Sequence, residues 1–520
     1  MKLLGQIPEF IRLPGDLPAF RAVVTGAQLH TFGQAVKQAG GRFVTLWAVD
    51  ERDAPGRGFT VHVAFGIGEG LALVSVALSA MQPEFPDLAG LFPAANRMQR
   101  ALHDMFGIRP VGTAERPADT RPWLRHANWP ADYFPLRRAA DGSRQFGTQN
   151  EEYAFVRVEG DGVHEIAVGP IHAGIIEPGH FRFSVVGEKV LRLEQRMGWK
   201  HKGIEKRFEQ LPLAGGYKLA GRVSGDSTVA YAWAYCLAAE SLAACAPPHR
   251  AVWLRALLLE RERIANHLGD LGYLGNDAAL AFGLSQFLRL REDWLRLSGA
   301  LFGHRLTMDA IVPGGVAVDL TGDGVQQLNA QCDAIEREVR ALHNLYEEHA
   351  GLQDRFVTTG RLEPRLAAEL SVSGLAGRAS SQAWDLRTQN AIAPYDQLDV
   401  QIATQRNGDV ASRVAVRFEE VFESLRLIRQ ISVQLPHGPT RVTFPPAHEG
   451  AFAVGWIEGW RGDVLVALEA GADGGIRRCH CHDPSWRCWP ALEHAIMGNI
   501  VPDFPLINKS FNLSYSGEDL

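Results

Sequence analysis

Three short apolar runs rich in β-branched residues, Phe43–Val49, Phe59–Phe65 and Leu71–Leu78, are set apart by glycine and charged turns. Runs of that length and composition predict the strands of a small antiparallel sheet. A helix is expected from about Ala94, with Gly107 placed to end it in a left-handed cap. Trp123 to Arg137 is rich in Pro and Trp and reads as an extended tail. The polar stretch Arg137–Asn150 has the composition of a linker. Beyond it the period changes. Leu254, Leu257, Arg261, Ile264, Leu268 and Leu271 fall on one stripe of a 3.6-residue helix. Val414, Phe418, Val421, Leu425 and Ile428 alternate spacings of four and three, the seam of a helical bundle. Segments 282–303 and 323–349 read as long helices. The pattern thus predicts an α+β chain: a small α/β domain over residues 1–140, then a mainly helical bundle with small β-sheets over 151–520. No internal repeat is evident.

A chain of 520 residues exceeds what one hydrophobic core usually supports. With 46% apolar and 22% charged residues and a net charge of −6, it lacks the basic balance of a nucleic-acid binder. No apolar run reaches the ~20 residues that span a bilayer. The opening Met1–Phe10 has Pro8 and Glu9 where a signal peptide needs unbroken apolar sequence, so a cytoplasmic location is expected. Six cysteines are too few for a disulfide framework. Cys236, Cys245 and Cys332 sit in helix-like segments and read as buried small hydrophobes. In Cys479-His480-Cys481-His482 a strand would turn the cysteines to one face and the histidines to the other, which disfavours one tetrahedral metal using all four. A structural role is the favoured reading, with a metal site left open.

Two segments carry the chemistry. One is Arg222-Val223-Ser224-Gly225-Asp226-Ser227; the other is Phe504-Pro505-Leu506-Ile507-Asn508-Lys509-Ser510-Phe511-Asn512-Leu513-Ser514-Tyr515-Ser516-Gly517. They resemble the two metal-binding boxes of the nickel–iron hydrogenase large subunit, R-x-C-G-x-C and D-P-C-x-x-C. Ser224, Ser227, Ser514 and Gly517 stand where the four cysteines belong. Other stretches resemble that family and the forty-nine-kilodalton subunit of respiratory complex I: Val168–His172, Glu177–Arg182, His201–Lys206, Asn266–Gly272, Pro313–Val316, Gly377–Ser380 and Glu458–Gly462. His103–Ile108 and the Trp129–Arg137 tail resemble the complex I thirty-kilodalton subunit. The fused arrangement looks like the large subunit of formate hydrogenlyase-type complexes. What the resemblance implies is a small iron–sulfur partner with a 4Fe–4S cluster, antiporter-like membrane partners, and a peripheral position on the inner face of the membrane.

The missing thiolates limit that inheritance. A nickel–iron centre is selected by soft, charged sulfur, which serine and glycine do not supply. The hydrogenase centre is therefore not expected to assemble. The quinone-reducing relatives use a histidine on the first hairpin and a tyrosine in the segment matching 222–227. Here those positions fall on or near Pro178 and on Gly225, with His180 two residues displaced. Glu177 matches the hydrogenase proton-gate glutamate, and with His172 and His180 it forms a candidate proton-handling group. Asp226 and Ser227 open an apolar helix, and an N-cap is the favoured reading for them. The alternative is that Asp226 belongs to a hydrogen-bonded network filling the emptied pocket. Glu260, Arg263 and His267 lie along one flank of their helix; an i, i+3 ion pair stabilising the helix is the favoured reading, and lining the cavity or the interface to an electron-carrying partner the alternative. Arg378 and Arg387 read either as partners of acidic cavity groups or as solvated or salt-bridged arginines. No strand–turn–helix nucleotide motif is present.

Two functions from different classes are compatible with these residues. One is an oxidoreductase subunit passing electrons between a 4Fe–4S cluster and a small acceptor such as a quinone, with no cofactor assigned to this chain itself. The other is a catalytically silent subunit that couples an iron–sulfur partner to antiporter-like membrane subunits. A hydrogenase using a different metal is the weakest option.

Overall fold

The computed structural model describes residues 10–126, 128–147, 152–172 and 176–520. The opening nonapeptide, the end of the expected linker and residue 151 lie outside them. The first apolar runs form β3 (Arg42–Asp50), β4 (Phe59–Ile67) and β5 (Gly70–Leu78), paired antiparallel as their spacing predicts. The short strands β1 (Ile11–Arg12) and β2 (Ala19–Val23) extend this sheet to the order β1-β2-β5-β4-β3. The sheet is mixed, because β2 runs parallel to β5. Helix α1 (Gly26–Gln38) lies in the connection between them, opened by a capping box in which Thr25 and Gln28 serve each other's backbone.

Helix α2 (Ala95–Phe106) ends on Gly107, whose φ of 75° is the left-handed cap expected there. The Trp-rich tail that follows is pinned by a buried carboxylate: Asp104 Oδ2 accepts the backbone N–H groups of Trp123, Leu124 and Arg125. Trp123 is fully buried between Arg97 and Arg100 of α2, at 4.7 and 4.9 Å from its ring. Strands β6 (Glu84–Pro86) and β7 (Arg109–Val111) pair in parallel beside α2.

Three further antiparallel units follow. They are β8 (Val163–Val168), β9 (His180–Val186) and β10 (Lys189–Arg196); the two-stranded β11 (Ile311–Val312) and β12 (Gly315–Val316); and β13 (Phe452–Glu458), β14 (Asp463–Ala470) and β15 (Ile476–His482). Between them lie the long helices α3 (Thr228–Leu242), α4 (His249–Asp277), α5 (Ala281–Phe302), α6 (Gly322–Glu348) and α7 (Val410–Gln434). The predicted stripe on α4 is buried, but so are nearly all its residues from Arg250 to Gly275. A helix buried all round occupies the centre of a domain, and α4 is packed by α5, α7, α3 and β12. Shorter helices α8 (Ser485–Ala495), α9 (Phe504–Phe511) and α10 (Tyr515–Asp519) bring the chain's end back to this centre.

The N-terminal sheet is not a loose appendage. Arg42 of β3 reaches Asp463 of β14 and lies 4.1 Å from the Trp384 ring. Thr45 bonds His480 across the same junction, and Trp47 stacks on it. On β15 the alternation holds: Cys479 and Cys481 share a face, Sγ to Sγ 3.9 Å. Cys236 and Cys332 are buried as expected, whereas Cys245 lies past the end of α3 and is half-buried. Among the described residues no helix is long and apolar enough to cross a membrane.

Candidate functional site

The two cysteine-less boxes meet. The turn Gly225–Ser227 leads into α3, and Ser514 caps α10, accepting the Gly517 N–H at 2.8 Å. The two hydroxyls Ser224 Oγ and Ser514 Oγ are 2.9 Å apart although 290 positions separate them. Ser224 also donates to Asp226 Oδ1 at 2.7 Å. Ser224 has only one hydroxyl proton, and an ionised Asp226 can only accept, so the Ser514 hydroxyl must donate to Ser224. Ser516 Oγ lies 3.5 Å from Ser514 Oγ and extends the row. A directed chain of hydroxyls thus ends on Asp226.

Asp226 does not cap α3, and neither does Ser227, which makes no capping hydrogen bond. The N–H groups of Val229 and Ala230 are taken instead by Glu262 of α4, at 2.7 and 3.2 Å. The cap expected from the local sequence is supplied from 33 residues away, so Asp226 is free to pair. Its partner is Arg461, whose Nη1 donates to Oδ1 at 2.8 Å and whose Nη2 contacts Oδ2. The Arg461 guanidinium also reaches Ser227 Oγ and the Asn512 carbonyl, and lies 4.0 Å from the Trp460 ring. Burial alone would raise the Asp226 carboxyl, but Arg461 beside it and the Ser224 hydroxyl hold it down at about 2. The Asp226 side chain keeps 36% of its surface exposed, so this turn faces outward.

The fourth ligand position is filled from elsewhere. A Cβ on Gly517 would lie 2.5 Å from Asp483 Oδ2 and 2.6 Å from its Cγ. Asp483 is itself fixed by the Tyr231 hydroxyl and the Ser485 N–H, each donating at 2.8 Å. Asp483, Tyr231, Glu262 and Arg461 are the members that sequence reasoning missed in this role. Arg461 stood in a quoted motif; the other three became visible only through the tertiary fold.

Glu177, His172 and His180 share a loop but do not form a proton-handling pair. His172 Nε2 meets the Gly179 carbonyl at 2.8 Å, and His180 Nδ1 the Gly169 carbonyl at 3.3 Å. Both imidazoles tie down the loop backbone. Burial lowers the His180 pKa from its ordinary value, which favours the neutral ring. Glu177 turns the other way: Lys200 Nζ lies 3.3 Å from Oε1, and the Ser516 N–H donates to Oε2 at 3.3 Å. It therefore abuts the hydroxyl chain, through a backbone amide and not through an imidazole.

Glu260, Arg263 and His267 differ most from expectation. The 3.3 Å Glu260–Arg263 pair exists, but all three residues are fully buried, not solvated on a helix flank. Glu260 also accepts from Arg387, the Tyr395 hydroxyl and the Ser424 hydroxyl, at 3.1, 2.6 and 2.6 Å. His267 Nε2 meets Glu420 Oε2 at 2.7 Å, and Arg378 joins Glu420 to Glu458 at 2.7 and 2.8 Å. Arg387 binds Asp385 at 2.7 Å. The cluster holds four carboxylates (Glu260, Glu420, Glu458, Asp385) against three guanidiniums (Arg263, Arg378, Arg387). Within this set the guanidiniums are one short, while His267 bonds Glu420 and the neighbouring Asp463 carries two guanidiniums, Arg42 and Arg487. Burial, together with Asp385 nearby, raises Glu458 above the usual carboxylate range, which makes it the natural bearer of a proton. This buried network lies behind Trp460 and Arg461 and holds their backbone: Arg263 donates to the carbonyls of Glu458 and Gly459 at 2.8 and 3.1 Å.

Among the described residues no group of three or more His, Cys, Asp or Glu side chains is arranged to hold a metal ion. The donors at the old ligand positions are hydroxyls already engaged with one another and with Asp226. They do not fit a thiolate-bound metal.

A five-stranded N-terminal sheet joined to a helical bundle, with the two boxes meeting at a largely buried turn, is the arrangement of a fused protein of the complex I type. The chain belongs to the family of complex I forty-nine- and thirty-kilodalton subunits and hydrogenase large subunits, here without the metal-ligand cysteines. Residues 22–145 match the family described as respiratory-chain NADH dehydrogenase, 30 Kd subunit, and 277–449 its 49 Kd subunit. Formate hydrogenlyase subunit 5 of Escherichia coli K12 is 32% identical over 92% of this chain and 85% of its own. Hydrogenase-4 component G of the same organism is 31% identical over 93% and 84%. The C/D subunit of NADH-quinone oxidoreductase from Bacteroides thetaiotaomicron is 27% identical over 90% and 92%. A chain of an archaeal respiratory membrane complex, the membrane-bound sulfane sulfur reductase, superposes with a TM-score of 0.65 at 25% identity, covering 69% of this chain and 98% of that one.

Proposed function

We propose that this chain is the non-nickel, hydrogenase-like large subunit of a membrane-associated respiratory complex, where it takes part in electron transfer and in the proton coupling linked to it. Its two units, residues 1–140 and 151–520, would sit peripherally on the inner face of the membrane. The partners are a small iron–sulfur protein with a 4Fe–4S cluster and antiporter-like membrane subunits, and a quinone is the acceptor class. The observation that carries this reading is the hydroxyl chain Ser516–Ser514–Ser224 ending on Asp226, with Glu177 at its other end. The ligand positions were rebuilt as a polar network and not packed with apolar side chains. Ile171, Ile176 and Trp199 are exposed around the Glu177 loop, and Arg222 and Gly225 on the facing turn. An apolar patch with a charged rim suits a partner protein.

Coupled activity in membranes bearing Glu177→Gln tests the reading. The variant keeps size and shape but cannot release a proton, and activity should fall by roughly 10²-fold, the scale of a lost acid–base group. Unchanged coupled activity would remove Glu177 from the mechanism and favour the silent coupling role.

A further inference from the structure

We propose that Glu262 is a proton-exchange site of this protein, loaded and unloaded through a small cavity behind the Ser224–Ser227 turn. The side chain belongs to α4 and is buried, and its hydrogen bonds come from the backbone N–H groups of Val229 and Ala230. Among the described residues it takes part in no salt bridge. Buried carboxylates elsewhere in this fold are met by arginine, as Glu240, Glu260 and Asp463 are. Glu262 is met by peptide dipoles at a helix start, which attract negative charge without neutralising it.

A cavity of about 20 Å³ opens beside it, with Ala265, Leu295 and Leu306 forming its apolar wall and Asp226, Arg261 and Asn266 among its polar groups. That volume admits one water molecule, and a buried water needs polar partners. One is available: Arg261 Nη1 is buried and has no hydrogen-bond partner among the described residues. Arg305, at the far side, is 54% exposed and marks the way to solvent. The charged groups around Glu262 are Asp226 on the turn before α3, Arg261 and Arg263 on its own helix, and Arg305 after α5. Asp226 is already paired with Arg461, and Arg263 with Glu260. In the exchange the carboxylic O–H bond breaks, the proton passes to a water in the cavity, and the electron pair stays as carboxylate charge. Burial, opposed by the two amide bonds, pushes Glu262 up to about 8, so both forms are accessible near neutrality.

The consequence is local and directed. Glu262 holds the first N–H groups of α3, and Asn266, one turn on, donates to the backbone carbonyls of both Asp226 and Glu262. Loading a proton changes the charge beneath the Asp226–Arg461 pair. The functional weight of this site rests on the proton-coupling reading above; its existence does not.

Infrared titration of the full-length chain tests it without any coupled assay. A protonated, buried carboxylic acid has a distinct carbonyl stretch. Among the bands of the buried acids, one should disappear as the pH rises through about 8, and that band should be missing from the Glu262→Gln spectrum while those of Asp519 and Glu458 remain. Ala265→Val narrows the cavity but keeps the carboxylate, and should slow deuterium exchange at that band roughly tenfold or more. The site is overturned if the band persists in Glu262→Gln, or if exchange in Ala265→Val matches the native rate. The second variant keeps the test decisive should the first fail to fold. Coupled activity that proves independent of protons would overturn the functional reading, while the infrared result decides the site.

Discussion

The Gly517–Asp483 contact makes a sharp prediction about how far the old metal pocket has been rebuilt. Gly517→Ala adds one carbon at a point 2.5 Å from Asp483 Oδ2 and 2.9 Å from Ser514 Oγ. Gly517 lies in α10, where alanine should by itself gain ~0.5–1 kcal/mol. Against that gain stands the overpacking of a closed site, ~1–3 kcal/mol. If Asp483 yields, it loses a hydrogen bond to a charged group, each worth ~1.5–3 kcal/mol. The net expectation is a loss of ~1.5–5.5 kcal/mol, the sum of those opposing terms. Thermal midpoints of the native chain, Gly517→Ala, Asp483→Ala and the double variant form the assay. A chain of this size need not unfold in two states, so midpoints are compared, not extrapolated free energies. Gly517→Ala should melt several degrees lower, and in the Asp483→Ala background the same change should cost almost nothing. A midpoint unchanged by Gly517→Ala, or an equal loss in both backgrounds, would refute the argument. The corollary concerns metal: a cysteine thiol at 517 requires Asp483 to leave, so restoring cysteines at the four ligand positions should not restore nickel binding.

Other expectations follow from the same contacts. Elemental analysis of the purified chain should find no stoichiometric nickel, and its infrared spectrum no carbonyl or cyanide bands, because no thiolate is available. Arg42→Ala removes one of two guanidiniums on Asp463, which keeps Arg487, and should cost ~1.5–3 kcal/mol, read as faster limited proteolysis between the N-terminal sheet and the rest. Stability should fall as pH rises from ~5 to ~8, because Glu262 at about 8 and Asp519 at about 7 bind protons in the native state that they release on unfolding. Below pH ~4 stability should fall again as Glu205, held at about 2 by Arg478 and His480 against its burial, is protonated. Denaturant midpoints measured from pH 3 to 9 check both limbs, and a stability that rises between pH 5 and 8 would be the contrary result.

Much of the architecture was legible because it depends on local periodicity. The runs at 43–49, 59–65 and 71–78 became strands, and the seam on α7 is buried where the spacing placed it. The ligand positions were legible too, since Ser224 and Ser514 do come together. Partnerships at long sequence separation were not. Nothing near Ser227 signals that Glu262 will cap α3, and the spacing of Glu260, Arg263 and His267 looks the same on a solvated helix as on a buried one. What separates those cases is the burial of every face of α4. The near-continuous mix of leucine and charged residues from Trp253 to Leu271 hinted at it, because charges there could only be tolerated if paired.

The pairing also bears on why the pocket stayed polar. Replacing a buried ionic network with well-packed apolar residues is often neutral or stabilising, so stability alone does not explain its retention. Here the network lies directly behind Trp460 and Arg461, which hold the Asp226 turn. Within it burial keeps Glu458 above the ordinary carboxylate range in spite of Arg378, and burial raises Glu262 on α4 as well. Two buried acids held above the ordinary carboxylate range, Glu458 beside Arg378 and Glu262 met only by backbone N–H groups, are what the proposed proton coupling would use and what a silent spacer would not need.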